Sequence, residues 1–202
     1  QLDGGVIGLG IGAMACHQKA GDRWDFYEID PLVAHYARDS GYFSYWKDCP
    51  GERSLLLGDA RTTLGAQTAK NYDFLLVDAF SSDAIPVHLI TLEAISLYLS
   101  HLREDGVLVV HVSNRHLNLV PILRRIAKSL ELQGKTVEKS SEAGPDEKQG
   151  ATFRARAELV ILARGDVLES LDLPADWKDM ETSSSTGAPW TDDKSSLVEA
   201  FK

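Results

Sequence analysis

The chain has 202 residues, of which 44% are hydrophobic and 25% are charged, and its formal net charge is −9. This composition is typical of a soluble globular protein, and we expect residues 1–202 to form a single domain. The negative charge argues against a duplex nucleic-acid partner, which would favour a basic face. No apolar run approaches the ~18 residues that are needed to cross a bilayer.

The chain contains two cysteines, Cys16 and Cys49, which are too few and too far apart for a disulfide framework or a zinc site. We therefore expect two reduced thiols in a cytoplasmic protein. The sequence starts with QLDGG, without a Met or a signal-peptide pattern. This start suggests a piece of a longer protein in which a membrane segment precedes a cytoplasmic domain.

The first half of the chain alternates between strand-like and helix-like segments. The predicted strands are residues 4–10, 24–30, 54–60 and 72–80, and the predicted helices are residues 12–20 and 31–41. In the second helix, Pro31 stands in the first turn and Gly41 follows the end. Alternation of this kind, with nearly continuous apolar strands, predicts an α/β fold with a mostly parallel sheet and helices on both faces.

The second half continues this order and then changes it. Residues 90–102 place apolar side chains on one helical face behind Thr91, which can cap the helix start. Residues 106–112 form a fifth predicted strand, and residues 117–134 form the longest predicted helix. The last two predicted strands, 135–139 and 157–165, have no helix between them. We therefore expect them to form an antiparallel hairpin at one edge of the sheet.

Polar residues or glycines follow each of the first four strands. The first strand ends in GLGIG at residues 8–12, the second in Glu28, the third in Asp59, and the fourth in Asp78. Ligands of parallel sheets bind beyond these carboxyl ends. The glycines allow close approach to a ligand, and Glu28 stands twenty residues after Gly8, a spacing at which a carboxylate can hold ribose hydroxyls.

Two nucleoside ligands fit this pattern. GLGIGA matches the G-x-G-x-x-A pattern of dinucleotide sites, so a nicotinamide cofactor is one interpretation. A sulfonium nucleoside carries no phosphate and tolerates a ring of carboxylates. The acidic residues around one predicted pocket, including Asp59, favour the cationic sulfonium nucleoside.

Six segments then occur in a characteristic order: GVIGLGIG, FYEIDP, LLLGDAR, YDFLLVDAFSSDAIPVHLIT, GVLVVHVSN and the late WTDD. Together they resemble the spermidine synthase family of aminopropyltransferases, in particular the bacterial branch in which such a domain follows a membrane segment. The resemblance covers roughly residues 4–115 and the tail near 190. It implies a Rossmann-like, seven-stranded sheet of the methyltransferase type.

The resemblance also implies a set of donor-binding residues. By this match, Gly8, Gly10 and Gly12 line the aliphatic arm of the donor. Glu28 takes the ribose, and the pair Asp59-Ala60 meets the adenine. The donor is decarboxylated S-adenosylmethionine or S-adenosylmethionine, and no metal is expected.

The segment from Asp78 to Asp83 stands where the family has an Asp-Ser-Ser-Asp stretch. The resemblance makes Asp83 the base that takes a proton from the attacking amine, while Asp78 helps to hold the donor or the amine. Ser81 and Ser82, with Asp83, would bind the substrate. The chemistry agrees, because a primary amine is protonated at neutral pH and must lose a proton before it attacks.

One departure from the family pattern bears on the donor. The family carries an aspartate inside the glycine loop, and this chain has Ile11 there. That aspartate meets the amine of decarboxylated S-adenosylmethionine, and its loss removes a repulsion against the carboxylate of S-adenosylmethionine. The small N-terminal β domain of the family is also missing.

We therefore expect transfer of an aminopropyl group from decarboxylated S-adenosylmethionine to a polyamine such as putrescine. The alternatives are an S-adenosylmethionine-dependent methyltransferase and a degenerate nucleoside-binding domain that regulates an attached membrane domain. The expected partners are a small cationic amine and a second copy in a homodimer, with nucleic acid excluded.

Each candidate also has a structural interpretation. Asp78 can cap a turn, residues 81–83 can cap a helix, and Asp30 before Pro31 can be an N-cap instead of a ligand. Glu28 can be a solvated charge at a strand end. His88 and His111 are expected to be structural. Residues 190–193 either cover the pocket as a lid or pack the tail, and the sequence does not distinguish these two.

Overall fold

The computed structural model describes residues 1–79, 86–114, 116–142, 154–180 and 186–201. The strands are β1 (Asp3–Ile7), β2 (Arg23–Glu28), β3 (Glu52–Leu57), β4 (Tyr72–Val77), β5 (Leu102–His111), β6 (Leu132–Glu142), β7 (Arg154–Arg164) and β8 (Lys178–Asp179). The α-helices are α1 (Pro31–Arg38), α2 (Tyr45–Asp48), α3 (Ala60–Gly65), α4 (Leu92–Ser100), α5 (Val120–Ser129) and α6 (Val167–Ser170). Three short 3₁₀ helices in the described ranges are Ala13–His17, Val87–Leu89 and Leu197–Ala200.

The strands form one mixed sheet in the order β3-β2-β1-β4-β5-β7-β6-β8. Strands β1 to β5 are parallel, and β7 runs antiparallel to both β5 and β6. The predicted mostly parallel sheet and the antiparallel pairing of β6 with β7 are thus confirmed, but this pair does not lie at the edge of the sheet. The predicted number of seven strands is wrong, because Lys178 and Asp179 add β8 to the outer side of β6. A two-residue strand has no periodicity that a sequence pattern could reveal.

Helices cover both faces of the sheet, as expected for buried parallel strands. In β1, the neighbours Val6 and Ile7 are both buried and pack into different apolar clusters. Ile7 belongs to the main cluster with α3, α4 and α5, and Val6 packs with residues of α1 and the first 3₁₀ helix. Successive side chains of a strand point to opposite faces, so the sheet separates two apolar layers.

Two helix starts follow the sequence predictions. The side chain of Asp30 accepts a hydrogen bond from the Leu32 N–H at 2.8 Å, with Pro31 in the first turn of α1. Thr91 accepts from the Ala94 N–H at 3.2 Å at the start of α4. Both residues satisfy N–H groups that have no partner inside the helix. They fix where these two helices begin relative to the sheet.

The structure corrects the prediction for the cysteines. Cys16 and Cys49 form a disulfide, with 4.8 Å between their Cα atoms. The bond joins the 3₁₀ helix Ala13–His17 to the residue that ends α2. The sequence separation of 33 residues hid a close approach in space. Disulfides are typical of oxidising compartments, so the inference from reduced thiols to a cytoplasmic location loses its basis.

The C-terminal tail is packed onto the domain. Trp190 is 2% exposed and belongs to the main apolar cluster, and its carbonyl accepts a hydrogen bond from the Leu92 N–H at 2.7 Å. Of the two interpretations of residues 190–193, packing is therefore the one that the structure shows for Trp190. Within the described part of the chain, no helix is both long and apolar enough to cross a bilayer.

Candidate active site

A cavity of about 510 Å³ lies beyond the carboxyl ends of β1 to β4. This is where ligands of open parallel sheets bind, and its volume is in the range of small-molecule sites. The residues that line it come from all four strand ends and from the 3₁₀ helix that precedes α4: Ile7, Gly8, Gly10, Tyr27, Glu28, Ile29, Asp30, Val33, Gly58, Asp59, Ala60, Asp78, Ala79, Pro86, His88 and Leu89.

The glycine loop after β1 needs its glycines for the backbone conformation. Gly8, Gly10 and Gly12 have φ values of +100°, +52° and +82°, which side chains rarely adopt. A Cβ atom at residue 8 would also collide with the carbonyl oxygen of Asp78. Gly8 and Gly10 line the cavity, but Gly12 is buried and does not. Gly12 instead precedes the 3₁₀ helix Ala13–His17.

Glu28 lies at the centre of this wall and is 8% exposed. Its Oε2 atom accepts a hydrogen bond from the Leu9 N–H at 3.0 Å, and Oε1 accepts from the Asp30 N–H at 2.9 Å. Each carboxylate oxygen can accept a second hydrogen bond. Glu28 is therefore not a solvated strand-end charge. It is a fixed acceptor that faces the cavity and holds the glycine loop.

Asp59, which follows β3, makes two contacts with its carboxylate oxygens. Its Oδ1 atom caps α3 by accepting from the Thr62 N–H at 2.9 Å, and Oδ2 lies 3.1 Å from His88 Nε2. Partial burial by itself raises the pKa of Asp59, but the hydrogen bonds from Thr62 and His88 lower that pKa below its ordinary value. The carboxylate is thus ionised and oriented at neutral pH.

The C-terminal tail supports this part of the cavity. Asp192 accepts two hydrogen bonds from Arg61, both at 2.7 Å, and another from Thr91 Oγ1 at 2.7 Å. The bonds from Arg61 and then Thr91 lower the pKa of Asp192 to about 2. Arg61 also donates to the His88 carbonyl at 3.0 Å. The WTDD segment therefore fixes the loop that carries His88.

Asp78 follows β4 and lines the cavity. Its Oδ1 atom lies 2.6 Å from Nδ1 of His111, the last residue of the neighbouring strand β5. This histidine, which the sequence predicts to be structural, therefore contacts a carboxylate that lines the cavity. The other predicted residues of this segment, Ser81, Ser82 and the base Asp83, lie outside the described residues.

Acidic side chains dominate the lining of the cavity. Four carboxylates line it, those of Glu28, Asp30, Asp59 and Asp78, and no described lysine or arginine does. In the described part of the chain, His, Cys, Asp and Glu side chains do not converge in a metal-ligating group. A cavity lined by several carboxylates favours a positively charged ligand.

The strand order and the antiparallel β7 define an α/β, Rossmann-like methyltransferase fold. The chain matches 97% of its length to a probable spermidine synthase from Corynebacterium glutamicum, with a TM-score of 0.64, 18% identity and 74% of that chain covered. It matches 95% of its length to human methyltransferase-like protein 13 in complex with SAH, with a TM-score of 0.60, 18% identity and 85% of that chain covered.

Two curated relatives are more similar in sequence over part of the chain. One is an N-terminal histidine N-methyltransferase from Emericella nidulans, 37% identical over 114 residues. The other is a polyamine aminopropyltransferase from Vibrio vulnificus, 34% identical over 112 residues. Each match covers 52% of this chain, but only 19% and 36% of the respective relative. No family model matches the chain.

These relatives and structural neighbours are transferases, in agreement with the transferase predicted from the sequence. They include both of the predicted activities, aminopropyl transfer and methyl transfer. The chain spans less than two fifths of either curated relative. The similarity therefore supports the fold and the broad class, and leaves the donor and the acceptor to be inferred from the site.

Proposed function

We propose that this domain transfers an alkyl group from an adenosyl sulfonium donor to a nitrogen nucleophile. The observation that carries this proposal is the cavity in which Glu28, Asp59 and Asp78 face one space that no described lysine or arginine lines. A dinucleotide would bring a pyrophosphate into this acidic wall, whereas a sulfonium brings a positive charge. The two curated relatives, named for N-methyl transfer and for polyamine aminopropyl transfer, support a nitrogen acceptor.

The residues that line the cavity fit such a donor. Glu28 keeps one acceptor site on each oxygen for the ribose hydroxyls, since a single N–H occupies each of them. Gly8 and Gly10 allow close approach of the backbone, and Asp59 with Ala60 would meet the adenine. When bound, the donor supplies a carbon attached to a positively charged sulfur, which leaves as a neutral thioether when nitrogen attacks that carbon.

Two donors fit this site, and different features of the chain favour each of them. The carboxylate-lined wall and the resemblance to spermidine synthases favour decarboxylated S-adenosylmethionine, with a polyamine such as putrescine as the acceptor. Ile11 favours S-adenosylmethionine and hence methyl transfer, because it places a 45% exposed apolar side chain in the glycine loop. An aspartate there would attract the free amine of the decarboxylated donor and repel the carboxylate of the other.

Thermal unfolding with added nucleosides tests the proposed site. Methylthioadenosine and S-adenosylhomocysteine should each raise the melting temperature, because a ligand that binds only the folded state stabilises it. NAD serves as the control, since it shares the adenosine but adds a pyrophosphate. A shift with NAD and none with either thioether nucleoside would refute the proposal.

The variant Ile11→Asp distinguishes the two donors. It should weaken binding of S-adenosylmethionine and strengthen binding of its decarboxylated form, measured by calorimetry. Ile11→Asn is the matched control, because it has a similar size and polarity but no charge. If the wild type already prefers the decarboxylated donor clearly, methyl transfer is excluded. Turnover of a labelled donor with putrescine by the full-length protein would exclude a purely regulatory, nucleoside-binding role.

A further inference from the structure

The end of β5 carries a polar chain that leads away from the cavity. His111 Nδ1 lies 2.6 Å from Asp78 Oδ1, and His111 Nε2 lies 2.6 Å from Ser113 Oγ. The Glu158 N–H of β7 donates to the same Ser113 oxygen at 2.8 Å. Four groups from three neighbouring strand segments are thus connected through hydrogen bonds. The side chains of His111 and Asp78 are only partly exposed, at 25% and 35%.

The chemistry of Asp78 fixes the direction of the first hydrogen bond. An ionised carboxylate can only accept, so the contact with Asp78 requires a proton on His111 Nδ1. The Glu158 N–H can only donate, and it occupies one lone pair of Ser113 Oγ, whose own proton can go to His111 Nε2. In the neutral ring, the chain therefore runs from Glu158 through Ser113 and His111 to Asp78. The carboxylate selects this tautomer, and the serine hydroxyl is compatible with it.

The consequence for Asp78 concerns its second carboxylate oxygen. Oδ1 is engaged by His111, whereas Oδ2 has no hydrogen-bond partner among the described residues. Asp78 lines the cavity and His111 does not. A carboxylate with one oxygen held by a donor cannot rotate freely, so the other oxygen keeps a fixed direction. An incoming nucleophile would then meet a pre-oriented acceptor.

We infer that His111 is a positioning residue for Asp78, and that Ser113 holds the other nitrogen of the His111 ring. This inference rests on the proposed function and adds the group that receives the proton. One N–H bond of the acceptor ammonium breaks, its proton goes to Asp78 Oδ2, and the electron pair stays on nitrogen as the attacking lone pair. The resemblance gives this step to Asp83, which lies outside the described residues, and we infer it for Asp78, whose carboxylate His111 orients.

The tautomer of His111 can be measured without any substrate. In the ¹⁵N-labelled domain, long-range ¹⁵N–¹H correlation spectra identify which ring nitrogen carries the proton. The expected result is a proton on Nδ1 in the neutral form of the His111 ring, and a mixture of tautomers in Asp78→Ala, which removes the carboxylate. A wild-type His111 that is protonated at Nε2 instead would overturn the assignment, whatever the domain transfers.

Turnover then tests the effect on Asp78. With labelled S-adenosylmethionine or its decarboxylated form and putrescine as the probe, His111→Ala should lower kcat about 100-fold, the order of loss expected for a misplaced group. The affinity for S-adenosylhomocysteine should stay unchanged. His111→Asn should recover most of kcat, because its amide can donate from the position of Nδ1. The control is His35→Ala, an exposed histidine on α1.

The outcomes separate the two hypotheses. Equal kcat in the wild type and His111→Ala, or failure of Asn to recover activity that Ala loses, would overturn the positioning role. A wild-type domain that binds neither nucleoside and turns over neither donor contradicts the proposed function alone. In that case the tautomer measurement still decides whether His111 is held as inferred.

Discussion

Two parts of the cavity wall are held in place by different forces. The glycine segment, residues 8–17, is fixed by the buried carboxylate of Glu28 and by the disulfide from Cys16 to Cys49. The ion-pair segment, residues 86–92 with residues 190–194, is fixed by the partly exposed ion pair of Asp192 with Arg61 and by the hydrogen bond between Asp59 and His88.

This difference separates a permanent part of the site from an adjustable one. Buried hydrogen bonds and covalent bonds respond little to salt, whereas exposed ion pairs are screened. We expect the glycine segment to be preformed under all conditions in which the domain is folded. The ion-pair segment should respond to pH and ionic strength. Variants in the two segments should therefore differ both in size of effect and in sensitivity to conditions.

The largest effect is expected from Glu28→Ala. Under the proposed function, this variant removes two charge-assisted hydrogen bonds to the ribose, of about 1.5–3 kcal/mol each, and should weaken methylthioadenosine binding roughly 10³-fold. It also leaves the Leu9 and Asp30 N–H groups without their acceptor, so the domain should be less stable. Calorimetry measures the first effect, and Glu28→Gln, which keeps one oxygen, is the control. Unchanged affinity in the alanine variant would show that Glu28 does not contact the ligand.

Removing the disulfide tests how much this covalent bond in the glycine segment contributes to the stability of the domain. Replacing Cys16 and Cys49 together by serine should lower the free energy of unfolding by roughly 3–4 kcal/mol, the chain-entropy value for a loop of this length. Urea unfolding measures the change. The wild type in excess reductant should unfold like the double variant. If reductant has no effect on the wild-type midpoint, the two thiols are not bonded in solution.

The sequence predicted the cavity wall because parallel strand ends meet at one edge. Glu28, Asp59 and Asp78 each follow an apolar run, and the register of β1 with β2 and β4 brings their ends together. The disulfide was missed since it depends on α2, a four-residue helix with no periodic signal. His111 and Ser113 were visible as alternate residues at a strand end, which share one face. No sequence pattern connects His111 and Ser113 to Asp78, because the contact depends on the register between β4 and β5.

Asp59, which contacts His88 of the ion-pair segment, combines a structural and a proposed binding role that substitution can separate. Asp59→Ala should cost about 1 kcal/mol of stability through the lost cap of α3, and should also weaken nucleoside binding. Asp59→Ser restores a capping oxygen but not the charge, so stability should recover while affinity stays low. Unfolding and calorimetry on both variants give the two quantities. Wild-type affinity in the serine variant would mean that the carboxylate does not contact the adenine.

The smallest effect is expected from Asp192→Asn. The folded-state pKa of Asp192 is about 2, below its ordinary value of 3.8, so its ionised form stabilises the fold above pH 4. This contribution is lost as the pH falls from 4 to 2. Because the side chain is 42% exposed, we expect less than about 1 kcal/mol at neutral pH.

The difference in unfolding free energy between wild type and Asp192→Asn measures this contribution. It should decrease between pH 4 and pH 2, and it should also decrease in high salt. Asp193→Asn is the matched control, since Asp193 is the exposed neighbour on the same tail. A difference that does not depend on pH would mean that the pair with Arg61 makes no electrostatic contribution.

Gly8 brings the ends of β1 and β4 together in the wall of the cavity. Its backbone touches that of Asp78, whose N–H donates to the Ile7 carbonyl at 2.8 Å, and only a hydrogen atom fits between them. The distance between these two strand ends is thus set by main-chain contacts, which a larger residue at position 8 would disrupt. Under the proposed function, side chains beyond Asp78 are then free to differ with the nucleophile while this distance stays the same.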